Sequence, residues 1–132
     1  MNFSFTDEQL MLKDSVEGFL TENADSGIVR QAMASESGVD ENLWQKICAE
    51  MYWQAILVPE ECGGLGLGLV EAVIVLEQMG RFLTPVPLAA GIQSALALRT
   101  LADQPQAHTL LAGLAEGRHL GLAHTAARPS WG

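Results

Sequence analysis

Six residues rich in glycine, Gly63-Gly64-Leu65-Gly66-Leu67-Gly68, constrain the fold more than any other part of the sequence. Glycine has no Cβ, so it adopts positive φ readily and lets another backbone segment approach closely. The neighbouring residues exclude two phosphate-binding loops. A dinucleotide fingerprint starting at Gly64 needs glycine where Leu69 stands, and a P-loop needs lysine and then serine or threonine after Gly68. The segment therefore predicts a tight, close-packed crossing between two helices.

Composition indicates one globular domain. The chain has 132 residues, of which 48% are hydrophobic and only 17% charged, so it has enough apolar side chains for a packed core. Its formal net charge is -9, and its seven lysine and arginine residues are scattered along the sequence without forming a basic face. Duplex DNA and anionic lipid would be repelled, which makes nucleic acid and membrane surfaces poor candidates as partners.

Cysteine usage and the N-terminus indicate a reducing compartment. Cys48 and Cys62 are the only cysteines, and we interpret them as free thiols because two isolated cysteines do not make a disulfide framework. The first residues lead directly into a charged helix start without the basic and apolar segments of a signal peptide, and no apolar run approaches membrane-spanning length. The expected location is the cytoplasm.

Capping residues and apolar spacing predict the first two helices. Thr6, with Gln9 three residues later, forms a capping-box pattern, and an apolar stripe at helical spacing continues up to a break at residues 23–27. Asp40 is the predicted N-cap of a second helix. Residues 28–39, which lie between the two helices, have no decisive pattern.

Three further helices complete the predicted bundle. Residues 69–83 are apolar almost all round, which is typical of a helix in the middle of a bundle. Residues 88–102, rich in alanine and leucine, predict a fourth helix, and Pro105 begins a fifth that ends at Gly117. Residues 119–125 then read as a short strand without a sheet partner. The predicted fold class is all-α, an antiparallel bundle of about five helices with a short extended C-terminal tail.

The titratable residues show no spacing typical of a catalytic or metal site. Glu60 and Glu61 are adjacent in a loop, where neighbouring carboxylates usually diverge, and we interpret them as solvated charges. Glu77 is spaced to form an ion pair with Arg81 at i+4. The three histidines have no cysteine or carboxylate at metal-ligand spacing, and no serine has a histidine placed by sequence to activate it. We therefore predict no metal site and assign no nucleophile.

Two motifs resemble a known enzyme family. Leu57-Val58-Pro59-Glu60-Glu61 leading into Gly63-Gly64-Leu65-Gly66-Leu67, followed by Glu77-Gln78-Met79-Gly80-Arg81, is similar to the N-terminal helical domain of acyl-CoA dehydrogenases. The Pro85-Val86-Pro87-Leu88 segment resembles the small subunits of heteromeric members that handle unusual acyl groups. One departure is Tyr52, because the family usually has glycine there, where a left-handed residue ends the second helix at little cost. Either Tyr52 is strained or the helix ends differently.

The resemblance implies α,β-dehydrogenation of an acyl-CoA thioester. In that reaction a glutamate removes the α-proton, FAD accepts the β-hydrogen as hydride, and an electron-transferring flavoprotein reoxidises the cofactor. The family's glutamate base and most of its FAD contacts lie in later domains, so we expect no catalytic residue in this chain and predict that it is inactive alone. Residues 1–117 would form the N-terminal helical domain, and residues 118–132 a linker and the start of a β-domain. A homo- or hetero-oligomer is expected.

Two candidate binding sites also follow from the resemblance. The family's helix after the Met-Gly-Arg segment lines the deep end of the acyl cavity, and the matching residues here are Pro85, Val86, Ala89, Ala90 and Gln93. Ordinary bundle packing explains these mostly small residues equally well. Thr125 falls near the point where the family's first β-strand passes the flavin, so it is a candidate FAD contact. An ordinary strand threonine is the alternative for that residue.

A different class of function also stays open. The chain would then be a stand-alone helical protein-interaction module without enzymatic activity, whose apolar surface binds a partner protein. Flavin absorbance, or binding of an acyl-CoA only in the presence of further domains, would favour the enzyme. A stable colourless protein with an unrelated partner would favour the module.

Overall fold

A computed structural model describes residues 4–124, and all regular structure in this range is helical. The six α-helices are α1 (Asp7–Asn23), α2 (Ser26–Ala34), α3 (Glu41–Lys46), α4 (Leu69–Arg81), α5 (Leu88–Leu98) and α6 (Pro105–Ala115). Single 3-10 turns lie at Trp53–Ala55, Glu60–Cys62 and Arg99–Leu101, and a π turn occupies Ile47–Met51. The predicted all-α class is confirmed, with six helices where about five were expected.

The capping box at the start of α1 is confirmed. Thr6 Oγ1 accepts a hydrogen bond from the Gln9 backbone N–H at 3.2 Å, and Gln9 Oε1 accepts one from the Thr6 backbone N–H at 3.0 Å. Both bonds satisfy backbone donors that a helix start leaves free. The buried stripe of α1, centred on Val16 and Leu20, packs mainly against α4.

Helix α2 lies where the sequence pattern was undecided. It begins at Ser26, inside the break expected after α1, because Asp25 Oδ1 accepts a hydrogen bond from the Ile28 backbone N–H at 2.9 Å and so caps the new helix. Ala32 is its only fully buried residue. Ile28, four residues before Ala32, packs partly buried against the core, so the apolar stripe of α2 is present but short and does not stand out in the sequence.

The second predicted helix begins as expected and ends unusually. Asp40 Oδ1 accepts a hydrogen bond from the Leu43 backbone N–H at 2.8 Å, which confirms the predicted N-cap. After Lys46 the helix widens into the π turn and stops at Tyr52, whose φ of 57° and ψ of 26° are left-handed. Of the two alternatives for Tyr52, the structure has the strained one, because this tyrosine adopts the left-handed conformation for which glycine is the usual choice.

Helix α4 is less central than its composition predicts. It ends at Arg81, two residues before the expected end, and its inner face is buried around Ile74, Val75 and Met79. Val70 and Val73 on the opposite face are about half exposed. The expectation of burial on all sides is wrong for these residues, because among the described residues α4 has α1 and the start of α5 as its main neighbours.

The centre of the core is the short segment between the π turn and the glycine-rich residues. Trp53, Ile56, Leu57 and Val58 are at most 2% exposed, and the Trp53 ring meets the Phe19 ring edge-on with centroids 5.3 Å apart. Helices α5 and α6 both pack on its first turn. This segment ties the α1–α4 pair to the α5–α6 pair.

The C-terminal helices are shorter than predicted, and the expected strand is absent from the described residues. Helix α5 ends at Leu98 and continues as a 3-10 turn, while α6 ends at Ala115 and the chain turns at Gly117 with a φ of 93°. Residues 118–124 have no regular structure. A strand from residue 119 is wrong as far as residue 124, since no described strand lies beside it. The boundary proposed after residue 117 stays a prediction.

Candidate functional site

The glycine-rich residues fold back on the buried segment instead of forming an open cradle. Their backbone N–H groups donate to carbonyl oxygens of residues 55–59 at 2.9 to 3.0 Å: Gly64 to Pro59, Leu65 to Ala55, Gly66 to Val58, and Leu67 to Ile56. A phosphate cradle needs such groups to point outward, free to bind an anion. The exclusion of a phosphate-binding loop from the sequence agrees with this geometry.

Close packing explains the glycine at position 64. A Cβ built on Gly64 would overlap the carbonyl oxygen and the side chain of Val58, so no larger residue fits without moving the backbone. Gly63 differs, because its φ is 85° and a Cβ there would meet nothing within 4 Å. The predicted close-packed crossing is therefore confirmed, with one glycine needed for space and the other for backbone conformation.

Helix α5 carries the residues predicted to line an acyl pocket, and it places three of them on one face. Ala89, Ala90 and Gln93 are exposed, while the opposite face of the helix is buried. Leu96 and Ala97 continue the exposed face toward the C-terminus. Among the side chains of α5 that face outward, Gln93 is the only polar one.

The two remaining pocket candidates lie in the turn before α5. Pro85 and Val86 are half-buried, and Val86 packs against the core. The Pro85 carbonyl oxygen accepts a hydrogen bond from the Asp40 backbone N–H at 2.9 Å, which ties this turn to the start of α3. Pro85 and Val86 therefore lie next to the start of α5 but are less exposed than the three residues on its outward face. Thr125, the candidate flavin contact, lies outside the described residues.

The outward face of α5 lacks charge, which is unusual for a helix surface in water. No charged residue occurs from Phe82 to Leu98, although 17% of the whole chain is charged. A solvent-facing helix surface normally carries charged and polar residues. This face therefore has the composition of a surface that is shielded from water.

A second apolar surface runs from the glycine-rich residues onto α4. We call this surface, formed by Leu65, Leu67, Leu69, Val70 and Val73, the α4 patch. Each of these side chains is between 38% and 51% exposed. Exposed apolar patches are a feature of surfaces that contact another protein or a ligand.

The acidic residues of the glycine-rich region take structural positions. Glu60 and Glu61 are exposed, as expected for solvated charges. Glu71 accepts hydrogen bonds from Gln9 Nε2 at 3.2 Å and from the Gly68 backbone N–H at 3.1 Å. The bond from Gln9, with the backbone bonds at the start of α4, holds the pKa of the Glu71 carboxyl below its usual range. Glu71 therefore links α1 to α4 and is not poised as a general base.

The ion pair predicted between Glu77 and Arg81 is not the one found. Arg81 Nη1 donates to Gln78 Oε1 at 2.6 Å and lies 3.8 Å from Glu17 Oε1 on α1. The α1–α4 packing brings Glu17 within reach, and that contact is invisible in the spacing along α4. Such partly exposed pairs contribute little, typically under about 1 kcal/mol.

One contact between titratable side chains was missed by sequence reasoning. Cys62 Sγ lies 3.3 Å from His108 Nδ1, although the two residues are 46 positions apart. Burial raises the pKa of the Cys62 thiol, and the charge of Glu61 raises it further. A nucleophilic cysteine needs a lowered pKa, so a thiol with a raised pKa is not activated. The contact between Cys62 and His108 instead links the 3-10 turn at Glu60–Cys62 to α6.

An opening beside α3 contains the second cysteine. A cavity of about 450 Å³ lies between α3, the π turn and the end of α6, and its lining includes Cys48, Tyr52 and His119. Burial raises the pKa of Cys48 to about 11, so its thiol is protonated at neutral pH. Both cysteines are free thiols, as predicted. Within residues 4–124 no three histidine, cysteine or carboxylate side chains cluster as metal ligands would.

A protein-family model matches most of the chain. The model for the N-terminal domain of acyl-CoA dehydrogenase matches residues 6–118. Acyl-CoA dehydrogenase IpdE2 of Mycobacterium tuberculosis is 39% identical over 115 residues, which cover 87% of this chain and 36% of that protein. Mitochondrial isovaleryl-CoA dehydrogenase of Arabidopsis thaliana is 34% identical over 120 residues, covering 89% of this chain and 29% of the relative.

Solved structures agree with the family model. The ChsE4-ChsE5 complex of Mycobacterium tuberculosis matches with a TM-score of 0.74 at 26% identity, over 89% of this chain and 32% of that one. A variant of the Tcur3481-Tcur3483 steroid ACAD matches with a TM-score of 0.71 at 30% identity, over 84% of this chain and 30% of that one. The chain therefore spans about a third of the length of the relatives it matches. None of the helices described in residues 4–124 has the length and apolar character to cross a membrane.

Proposed function

The chain belongs to the acyl-CoA dehydrogenase family, as its N-terminal domain, and on that premise we propose that it forms one wall of the acyl pocket. The enzyme in question would carry out the α,β-dehydrogenation of an acyl-CoA thioester. The single observation that carries the proposal is the outward face of α5, which is free of charge and lined by small side chains at Ala89 and Ala90. Such a face suits an apolar acyl group and is out of place in water.

The described residues do not by themselves fit a flavin. The glycine-rich N–H groups are already bonded inward, and Glu71, the acid with the most hydrogen bonds in this region, is held by Gln9 and Gly68. FAD, which supplies the hydride chemistry in this family, would be held mainly by residues beyond this part of the chain. We therefore propose that this chain alone is inactive and that its contribution is to bind and enclose the acyl group.

For the substrate we propose a bulky acyl group that contains a ring. Ala89 and Ala90 leave more room beside α5 than larger residues would, and one structural relative is titled a steroid ACAD. The isovaleryl-CoA dehydrogenases among the relatives are named for a short branched acyl group. Ring-bearing and short branched acyl groups differ mainly in volume, so the space beside α5 would discriminate between the two substrate classes.

The proposed partners follow from the family and from the exposed surfaces. Both structural relatives are named as pairs of chains, which supports a hetero-oligomer. The α4 patch is available for the remaining domains or for a second subunit. We further propose an electron-transferring flavoprotein as the oxidant of the reduced enzyme, in the cytoplasm.

Filling the proposed pocket tests this function. The flavin-loaded assembly would be purified through a tag on this chain, with the wild-type residue or with Ala90→Phe. A phenylalanine there projects into the space assigned to the ring, so kcat/KM for a ring-bearing acyl-CoA should fall by about tenfold or more relative to isovaleryl-CoA. Ala34→Phe, at an exposed position at the end of α2, is the matched control and should leave the ratio unchanged. If Ala90→Phe leaves both values at the wild-type level, this face does not contact substrate.

A protein-interaction module remains the second candidate, because the side chains of the α4 patch are exposed and apolar, as in surfaces that bind partner proteins. The two functions differ in what copurifies with the chain. Flavin and acyl-CoA turnover identify the enzyme, whereas a colourless assembly with an unrelated protein identifies the module.

A further inference from the structure

Gln93 occupies an unusual position on α5. It is the only outward-facing side chain of the helix that can form a hydrogen bond, and its neighbours on that face are Ala89, Ala90, Leu96 and Ala97. The nearest charged residues along the chain are Arg81 and Arg99, on either side of α5. The amide is thus the one polar group on an otherwise apolar helix face.

Three buried polar side chains, Ser94, Gln78 and Gln54, each form at least one hydrogen bond within the described residues, although the Oε1 atom of Gln54 is buried without a partner there. Ser94, on the inner face of α5, donates to the Ala90 carbonyl oxygen at 2.9 Å. Gln78 accepts a hydrogen bond from Arg81, and Gln54 donates to the Ala115 carbonyl oxygen at 3.0 Å. Gln93 has no hydrogen-bond partner among residues 4–124, so water is its partner as long as the face is open.

Covering the α5 face removes water from the Gln93 amide and so makes an unpaired amide energetically unfavourable. A buried amide that loses water without gaining a partner costs about 1 to 3 kcal/mol, and buried polar side chains are nearly always hydrogen-bonded. If an acyl group covers α5, the group itself is the nearest available partner for Gln93. An all-hydrocarbon acyl group leaves both the carbonyl and the NH₂ of the amide unpaired.

We propose that Gln93 determines substrate specificity by hydrogen bonding to an oxygen substituent on the acyl group, a hydroxyl or a ketone remote from the thioester. This inference rests on the proposed role of α5 as a wall of the acyl pocket. The amide suits either substituent, because its NH₂ group donates to a ketone and its carbonyl oxygen accepts from a hydroxyl. The substrate class is thereby narrowed to oxygenated, predominantly apolar acyl-CoA thioesters.

The test compares two substrates of the same carbon skeleton, one with a ring hydroxyl or ketone and one without it. The flavin-loaded assembly carrying Gln93→Leu has lost both the donor and the acceptor at similar volume. The ratio of kcat/KM for the oxygenated to the unsubstituted acyl-CoA should fall by about 10- to 100-fold. Gln31→Leu, the same change at an exposed position of α2, is the matched control and should keep the wild-type ratio.

A second variant separates the two substituents and guards against misfolding. Gln93→Glu keeps the acceptor but loses the donor, so turnover of the ketone should fall more than turnover of the hydroxyl compound. Gln93→Met, which preserves side-chain length, replaces the leucine variant if that protein loses its flavin. The ratio is insensitive to the fraction of active enzyme, because both substrates are measured on the same preparation.

The outcomes distinguish this inference from the function on which it rests. A wild-type assembly that turns over both substrates, with a ratio that Gln93→Leu or Gln93→Met leaves within about twofold, overturns the role of Gln93 and leaves the enzyme intact. A wild-type assembly that oxidises no acyl-CoA overturns the proposed function and this inference together. A selective loss of the oxygenated substrate supports both.

Discussion

At the residue scale, Gly64 is the position least open to change. Gly64→Ala would force a Cβ into the Val58 carbonyl oxygen, so we expect a loss of roughly 3 kcal/mol or more in the free energy of unfolding. Chemical denaturation of the purified protein measures this loss. The reason is backbone overlap, which cannot be relieved by turning a side chain.

Two other glycines provide matched controls for that prediction. Gly63→Ala places a left-handed residue at a φ of 85° without a clash and should cost only about 1 kcal/mol. Gly18→Ala, inside α1 with nothing within 4 Å of the added Cβ, should stabilise the chain by about 0.5 to 1 kcal/mol. Equal effects at positions 63 and 64 would contradict the close approach of Gly64 to Val58.

Glu71 should make stability depend on pH in the acid range. The pKa of its carboxyl is lowered in the folded state, so its contribution is fully present above the ordinary glutamate value of 4.5 and is lost as pH falls through the folded value. At neutral pH, Glu71→Gln should cost about 1 kcal/mol, reduced by solvent because the side chain is only half-buried. This difference from wild type should shrink as the medium becomes more acidic.

Urea unfolding at several pH values measures the Glu71 effect. Glu77→Gln on the same helix removes an equal charge from an exposed side chain and should change the free energy of unfolding by less than about 0.5 kcal/mol. A Glu71→Gln penalty that stays constant from neutral to acid pH would mean that the hydrogen bonds from Gln9 and Gly68 do not depend on the charge.

Contacts between residues close in sequence were predictable, whereas contacts between residues far apart in sequence were not. The caps at Thr6 and Asp40 were predictable because donor and acceptor lie three residues apart. The Cys62–His108 contact and the Arg81–Glu17 ion pair depend on how the helices pack, and residue spacing along the chain does not predict that packing. The candidate pocket residues came from a family resemblance, and the fold bears only on the face that three of them share.

At the element scale, the π turn that follows α3 ends on a strained residue. Tyr52 is left-handed and half exposed, so Tyr52→Gly should be more stable than Tyr52→Ala by about 1 kcal/mol. The comparison of glycine with alanine cancels the loss of the ring. Thermal or chemical unfolding of the two variants measures the difference.

A right-handed position on α3 should show the opposite order. At exposed Gln45, inside the helix, glycine should be less stable than alanine by about 1 kcal/mol. If glycine is also the less stable replacement at position 52, the left-handed ending of this element is wrong.

Helices were predictable where a cap and an apolar stripe coincide. Helix α1 has both, whereas α2 has a cap at Asp25 but only a short apolar stripe with one fully buried residue, which is why its residues were undecided. The prediction of α4 as a central helix failed for a different reason. The outer face of α4 is apolar yet exposed in the described residues. An apolar composition predicts that a face is buried, but it does not show which protein segment buries it.

At the scale of the whole molecule, the chain by itself should behave as an incomplete protein. The α4 patch and the α5 face leave two apolar surfaces open, so the isolated chain should bind a hydrophobic dye and self-associate. Sedimentation and dye fluorescence measure this behaviour. A compact monomer that binds no dye would show that these surfaces need no cover.

The most direct measurement of the central claim is anaerobic titration of the purified assembly, tagged on this chain, with a ring-bearing acyl-CoA while the visible flavin band is followed. If this domain is part of an acyl-CoA dehydrogenase, the band should be present and should bleach in proportion to the acyl-CoA added, whereas the chain alone should show no band. An assembly without flavin, or one whose flavin band is unchanged by every acyl-CoA tested, would contradict the account.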